Sequence, residues 1–452
     1  MRKTLFLFLP LCFGLCYSHA QIGQLHADSI YSRMQKVADW QWKKLETEGW
    51  KDPKKDWTSA VMYTGMVAFS RLADTNLYYS KLLRTGKENN WEIGKYRYFA
   101  DDYCVGQTYA QLYEIYKDPA FIRDLKSMAD SLVQLPHTSS LEWKNSIYLR
   151  EWAWCDALFM GPPALGYLSA ATGNTAYRDT AISLWWKTTS YLFDTEEHLY
   201  YRDSRYFSKK EKNGAKVFWS RGNGWVIAGL TRLLSTTPKD HTERKKLVKL
   251  FGEMVSALAK LQQPDGTWHA SLLDPQSYPS KETSGTGLIC YAMAWGVNNG
   301  LIKLSDYEPV ISKAWEALTS SVHTNGKLGF VQPQGAAPDK VGFDDTDVFG
   351  VGAFLLAGSE IFRLSLQNRN QAFIAEAQNN TPATKEEVIH VPWKVIAKKT
   401  GNKRLKDLVV KDAASGKMIP VNVSYSGKKP TEINFKAALT EGCSRFFEIT
   451  NN

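Results

Sequence analysis

Thr242-Glu-Arg-Lys-Lys-Leu-Val-Lys-Leu-Phe-Gly-Glu-Met-Val-Ser-Ala-Leu-Ala-Lys-Leu261 reads as one amphipathic helix. Leu247, Leu250, Phe251, Met254, Val255, Leu258 and Leu261 recur at three- and four-residue steps. An α-helix sets such positions one above another on a single face. Val351, Phe354, Leu355, Gly358, Ile361 and Phe362 repeat the pattern. Working outward, about twelve such helices follow one another, from near Asp28–Glu48 to near Val348–Phe362. One of them is read as a continuous helix over Asp156–Thr172. Long connections recur after every second helix: 89–102, 136–155, 194–223, 263–284 and 325–347. They are rich in Trp, Asp, Arg and Gly. Paired helices separated by functional loops predict six hairpins closed into an (α/α)6 toroid, with the loops gathered at one end as a pocket.

The 452 residues divide into three parts. Arg2 and Lys3, the apolar run Leu5-Phe-Leu-Phe-Leu-Pro-Leu-Cys-Phe-Gly-Leu15 and Ser18-His-Ala20 have the order of a secretory signal over residues 1–20. That run is too short to span a bilayer. It implies export across the inner membrane, to the periplasm, with no membrane insertion. Residues 21–376 form the helical barrel. Near Ala377 the pattern changes, and Asn379-Asn-Thr-Pro-Ala383 reads as a linker. Short β-type runs follow at Val388, Leu408, Val421, Ile433 and Phe446, so 377–452 is expected to be a linker and a small β-sheet domain. Without an aromatic platform, that domain is better suited to bracing the barrel than to holding sugar.

Composition narrows the function. The net charge is +10, but from Val391 onward 12 Lys/Arg stand against 5 Asp/Glu, so the excess lies mostly in the tail. A near-neutral main domain gives little support to nucleic acid, or to a long polyanion lying across the barrel. Cys104, Cys155, Cys290 and Cys443 remain once the signal is removed. They form no Cys-x-x-Cys or Cys/His cluster, so buried free thiols are expected and no metal site. The 16 Trp, 22 Tyr and 20 Phe suit both sugar stacking and a large helical core.

Four constellations carry chemistry. In Glu151-Trp-Ala-Trp-Cys-Asp156, a carboxyl beside Trp152 and Trp154 loses water, which raises its pKa toward that of a general acid. Taken alone, Asp156 would pass for a helix cap. In Ala100-Asp-Asp-Tyr103, Asp101 and Asp102 can bind hydroxyls or hold Asp156 protonated by like charge; the sequence does not choose between them. In Trp219-Ser-Arg-Gly-Asn-Gly-Trp225, Arg221 offers a fork for a carboxylate. Gly222 and Gly224 let the backbone bend beside a ligand, and Trp219 and Trp225 can stack on sugar. In Gln263-Pro-Asp-Gly-Thr-Trp-His269, Trp268 and His269 are candidates for the pocket wall, as is the turn Glu282-Thr-Ser-Gly-Thr286, with turn and cap roles nearly as good.

Trp154-Cys-Asp-Ala-Leu-Phe-Met160, Trp219-Ser-Arg-Gly-Asn-Gly-Trp225 and Glu282-Thr-Ser-Gly-Thr286 together resemble the unsaturated glucuronyl and galacturonyl hydrolases, most closely glycoside hydrolase family 105, related to family 88. The resemblance runs from about Ala27 to Leu366. It implies an (α/α)6 barrel and removal of a 4,5-unsaturated uronic acid from the ends of lyase-generated oligosaccharides. It implies Asp156 as catalytic acid/base, and Asp101, or Asp102 one step away, as second pocket aspartate. Trp154, Trp219, Arg221 and Trp225 match its substrate-binding positions. Arg202, in Leu199-Tyr-Tyr-Arg-Asp-Ser-Arg205, stands where many members carry a histidine. That weakens the case for rhamnogalacturonan but supplies a second cation suited to a uronate. Hydrating the alkene needs one proton donor rather than two equal carboxylates, and no metal or organic cofactor. The alternatives are an inverting glycosidase, a uronate lyase or a sugar epimerase on the same barrel, or a secreted glycan-binding protein. The sequence leaves the oligomeric state open.

Overall fold

The computed structural model describes residues 25–144, 146, 149–367, 371–401 and 408–451. The expected signal segment, with Cys12 and Cys16, lies outside them. The helices are α1 (Ala27–Glu48), α2 (Trp57–Ser70), α3 (Leu77–Glu88), α4 (Cys104–Tyr116), α5 (Arg123–Gln134), α6 (Ala157–Met160), α7 (Pro162–Thr172) and α8 (Thr175–Leu192). After a short hairpin of β1 (Phe193–Asp194) and β2 (Leu199–Tyr200) come α9 (Ser220–Thr236), α10 (Arg244–Lys260), α11 (Thr283–Asn298), α12 (Leu304–Ser320) and α13 (Val348–Gln367).

Burial sorts these helices into two rings. Outer helix α5 buries only Leu125, Ala129 and Leu132, a single stripe. Inner helix α9 buries every residue from Ser220 to Leu234, as expected of a helix packed on all sides. The inner neighbours run α2, α4, α7, α9, α11, α13 and back to α2, which closes the ring. Outside it, α1 packs on α13, α3 on α2, α5 and α8 on α7, α10 on α9, and α12 on α11. This is the expected six-hairpin toroid. Helix α13 is long and apolar enough to cross a membrane, but it is largely buried as an inner stave. It presses so close to α2 that a methyl group on Gly352 would strike the Val61 carbonyl and the Met62 backbone.

Two expectations need correction. The single helix over Asp156–Thr172 is broken at Gly161, because Pro162 and Pro163 open a new helix and Pro162 has no N–H to continue the old ladder. The linker is also misplaced. Strand β3 (Phe373–Gln378) crosses the boundary drawn at 377, and Asn379 is a turn residue. Its side-chain amide donates to the Ala383, Leu439 and Thr440 carbonyls.

The tail continues with β4 (Lys385–Pro392), α14 (Trp393–Thr400), β5 (Leu408–Asp412), β6 (Asn422–Ser426), β7 (Lys429–Leu439) and β8 (Ser444–Asn451). They form two three-stranded antiparallel sheets, ordered β3-β8-β5 and β4-β7-β6. The unit seats on the end of the toroid where the inner helices finish. The Ser444 N–H donates to the Arg71 carbonyl, the Tyr79 hydroxyl to the Gly442 carbonyl, and Phe446 packs on Phe362. The site lies at the other end.

Candidate active site

All six inner helices begin at the same mouth. Five start beside a carboxylate: Asp56 before α2, Asp101 and Asp102 before α4, Asp156 before α6 and α7, Glu282 before α11 and Asp347 before α13. The sixth, α9, opens on Trp219, Ser220 and Arg221. Helix N-termini carry partial positive charge, so the ring concentrates a field that favours anions at this end.

Some of these acids are ordinary caps. Asp56 accepts from the Thr58 N–H at 2.9 Å, and Glu282 from the Ser284 and Gly285 N–H groups at 3.0 and 2.6 Å. Asp156 is not. It precedes a helix, yet its side chain caps nothing. It accepts instead from Arg202 Nε at 3.1 Å, with Cys155 Sγ 3.8 Å from its other oxygen. Asp156 is only 7% exposed. Burial pushes its carboxyl above the usual range, although Arg202 and Arg221 pull the other way.

The two neighbouring aspartates separate. Burial, then the Asp156 charge, push Asp101 well up, with Arg202 opposing. The repulsion belongs to the pair, and one proton on either carboxyl relieves it. Asp102 turns away to accept the Tyr96 N–H at 2.6 Å, against Gly94. Asp102 therefore shapes the 94–103 turn, and Asp101 is the partner of Asp156.

Arg202 is the hub. Besides Asp156 it donates to Asp203 at 2.6 Å, and Arg205 grips the same carboxylate at 2.8 Å. Asp203 is fully buried. Its sequence signal is an acid enclosed by Arg202 and Arg205. Arg202 also lies 4.7 Å from the centre of the Trp143 ring, another residue not singled out.

Arg221 differs from expectation. Its two terminal nitrogens donate to the Gln332 and Pro333 carbonyls. The guanidinium lies 4.4 Å from the Trp219 ring and 4.9 Å from Phe349. It is fully buried, so its fork holds the 330–347 loop and is not free for a substrate carboxylate. Its charge still reaches Asp156. Main-chain carbonyls leave no mark in sequence, so this partner could not be foreseen. Gly222 and Gly224 do not bend the chain; both are helical. Gly222 lets α9 lie against Cys155 and Asp156, where a Cβ would come within 3.7 Å of the carboxylate.

The tryptophans build walls. Trp154 packs between Phe99 and Trp143. Trp219 donates to Gln332 Oε1 at 3.0 Å. Trp225 is the floor, between Trp57, Phe159 and Phe349. Each is almost wholly buried. Trp268 and His269 are not brought to the mouth. The Trp268 indole N–H donates to the Leu258 carbonyl at 2.7 Å, inside the α10 packing. His269 bonds Asp265 at 3.1 Å and the Pro275 carbonyl at 3.2 Å. Trp268 pins the loop to α10, and His269 stitches the 262–282 loop to itself, because a long loop must satisfy its own polar groups.

A closed helical toroid with the buried, arginine-bonded Asp156 and the half-buried Asp101 at its helix N-termini has the form of a helical-barrel glycoside hydrolase. The sequence model of Glycosyl Hydrolase Family 88 matches residues 33–365, and the chain belongs to that family. It is 37% identical over 359 residues to the unsaturated 3S-rhamnoglycuronyl hydrolase of Formosa agariphila, covering 76% of this chain and 93% of that protein. A family 88 glycosyl hydrolase structure from Bacteroides vulgatus superposes with a TM-score of 0.68 at 31% identity, over 75% of this chain and 100% of that one. A solved structure described as a polysaccharide lyase fits equally well, with a TM-score of 0.68 at 31% identity, over 75% and 97% of the two chains.

Proposed function

We propose that this enzyme removes a 4,5-unsaturated uronic acid from the non-reducing end of oligosaccharides by hydrating the C4=C5 bond. The observation that carries this reading is Asp156, buried, not used as a cap and bonded to Arg202, with its charge felt by a second carboxyl at Asp101. The name of the Formosa relative supports the substrate class.

In the proposed sequence, the uronate carboxylate docks on Arg202. That draws the cation's charge away from Asp156, whose pKa rises further and which keeps its proton. The enol ether takes this proton at C4. Positive charge is left on C5 and the ring oxygen, where Asp101 and the Asp156 carboxylate stabilise it. Water adds at C5 and gives its proton to Asp156. The hemiketal opens and the leaving sugar departs with its oxygen. The acid is regenerated each turn, so one donor suffices.

The test is an unsaturated uronyl disaccharide followed by ultraviolet absorbance. Hydration bleaches the alkene. Elimination by a lyase would create one from a saturated polymer, so the sign of the change separates the two readings. Asp156→Asn is expected to abolish bleaching while the melting curve stays cooperative. Full activity in that variant would remove Asp156 from the mechanism.

A further inference from the structure

Where the inner helices finish, at the end of the toroid opposite the mouth, there is a second cavity of about 400 Å³. Each inner helix gives it a side chain: Arg71 at the end of α2, Glu114 from α4, Tyr167 from α7, Arg232 from α9, Tyr291 from α11 and Glu360 from α13. The cavity therefore lies on the axis of the ring. It is not part of the mouth. Arg232 stands about two turns, or 10 Å, farther along α9 than the floor residue Trp225. Phe159 fills the space between, 5.0 Å from Trp225 and 5.9 Å from Arg232.

The cavity has an open rim and a deep cation. The side chains of Arg71, Glu114 and Arg363 are 37%, 34% and 28% exposed, whereas Arg232 is only 3% exposed. The rim cations are paired, Arg71 with Glu114 at 3.8 Å and Arg363 with Glu376 at 3.8 Å. Arg232 forms no ion pair among the described residues. Its Nε donates to Gln107 Oε1 at 2.6 Å and one terminal nitrogen to Gln111 Oε1 at 3.1 Å, both neutral amides. The guanidinium lies 4.9 Å from the centre of the Tyr167 ring. A charge held so deep without a counter-ion is costly, and a planar guanidinium fork matches a carboxylate. Helix carbonyl ends gather here and work against an anion, but Arg71, at the C-cap of α2, offsets that field. Burial pushes Glu114 and Glu360 above the usual carboxyl range, against Arg71 and Arg363 respectively, which disfavours their negative charge. Carboxyl groups of this kind accept or donate to hydroxyls.

We infer that this cavity is a second ligand site, which takes a small hydroxylated carboxylic acid of the size of a sugar acid. The carboxylate docks on Arg232, and the hydroxyls meet Glu114 and Glu360. The volume falls in the range of small-molecule pockets, about 300–1,000 Å³. The site is separate from the proposed reaction and does not depend on it.

The experiment is calorimetric titration of the full chain with sodium D-glucuronate, which has no alkene to hydrate, and with D-glucose as the neutral control. Wild type is expected to bind glucuronate and to bind glucose at least about tenfold more weakly, as loss of a charge-assisted contact implies. Arg232→Met and Ala170→Trp are each expected to weaken glucuronate binding at least about tenfold, and Arg232→Lys less. Ala170 is an exposed lining residue, so its indole fills the cavity without disturbing the core, and this variant decides the matter if Arg232→Met does not fold. No binding to wild type, or equal affinity for glucose, overturns the inference. So does glucuronate binding that survives in Ala170→Trp and is lost in Arg202→Met, because that binding belongs to the mouth. A wild type that fails to bleach unsaturated uronates would sink the proposed function and leave these titrations to decide the cavity.

Discussion

Arg202 offers the sharpest test, because the fold ties it to both the proton donor and a structural carboxylate. In Arg202→Met the 3.1 Å ion pair with Asp156 is lost. An arginine at that distance lowers a carboxyl by about 1–3 pKa units. Two unit charges about 4 Å apart at an effective dielectric of 20 interact by about 4 kcal/mol, so the loss is large enough to move a titration. Arg202 divides its charge between Asp156 and Asp203, so the rise falls short of what an undivided cation would give. The sign follows from the chemistry. The active form of Asp156 is protonated, so kcat/KM falls as pH rises through its pKa in the free enzyme. Removing the cation raises that pKa, and the alkaline limb moves to higher pH. KM should rise about 10–100-fold, because a charge-assisted contact of about 1.5–3 kcal/mol to the uronate is lost. The assay is the absorbance decrease measured across pH, with melting curves in parallel, because Asp203 then keeps only its Arg205 partner. Arg202→Lys, which retains the charge, should move the limb less. An alkaline limb that stays put or moves to lower pH in a folded Arg202→Met protein would refute the linkage between this arginine and the donor.

Three further outcomes are expected. Asp101→Asn should lower kcat by about 10²–10³, whereas Asp102→Asn, which keeps an oxygen for the Tyr96 N–H, should change it only a few-fold; equal losses would undo the assignment of the pair. Gly352→Ala should reduce stability in denaturant by about 1–2 kcal/mol, because overpacking against the α2 backbone outweighs the helix-propensity gain of about 1 kcal/mol; a stabilised variant would show that α2 and α13 can part. Although burial opposes it, the Asp265 bond raises His269, and against burial the His269 bond brings Asp265 down to about 2. The stabilisation from His269 is thus complete below the ordinary histidine pKa and fades as pH rises through the raised one. His269→Ala should therefore lower the melting temperature more at pH 6 than at pH 9 and leave kcat nearly unchanged; a collapse of kcat would return His269 to the site.

Much of this enzyme was legible from sequence because the information is local. Helical periodicity depends on neighbours three and four residues away, so the Leu247–Leu258 stripe and its counterparts announced helices, and their alternation with rich loops announced a toroid. Asp156 stood out from its indole neighbours for the same reason, and so did Arg202. What the sequence could not supply was direction and partnership. Asp101 and Asp102 are adjacent and alike, and only the turn at 94–103 sends one to Asp156 and the other to a backbone N–H. Arg221 looked like a free fork until folding brought two carbonyls from residues 332 and 333 against it. Trp268 and His269 looked like pocket residues until their bonds closed a loop instead. Strand β3 went unseen because its pairing partner, β8, lies far along the chain. The chain alone determined which segments coil and which residue types gather in the loops. Closure of the ring decided which side chains share a site, because contacts between residues a hundred or more positions apart exist only after the helices have packed.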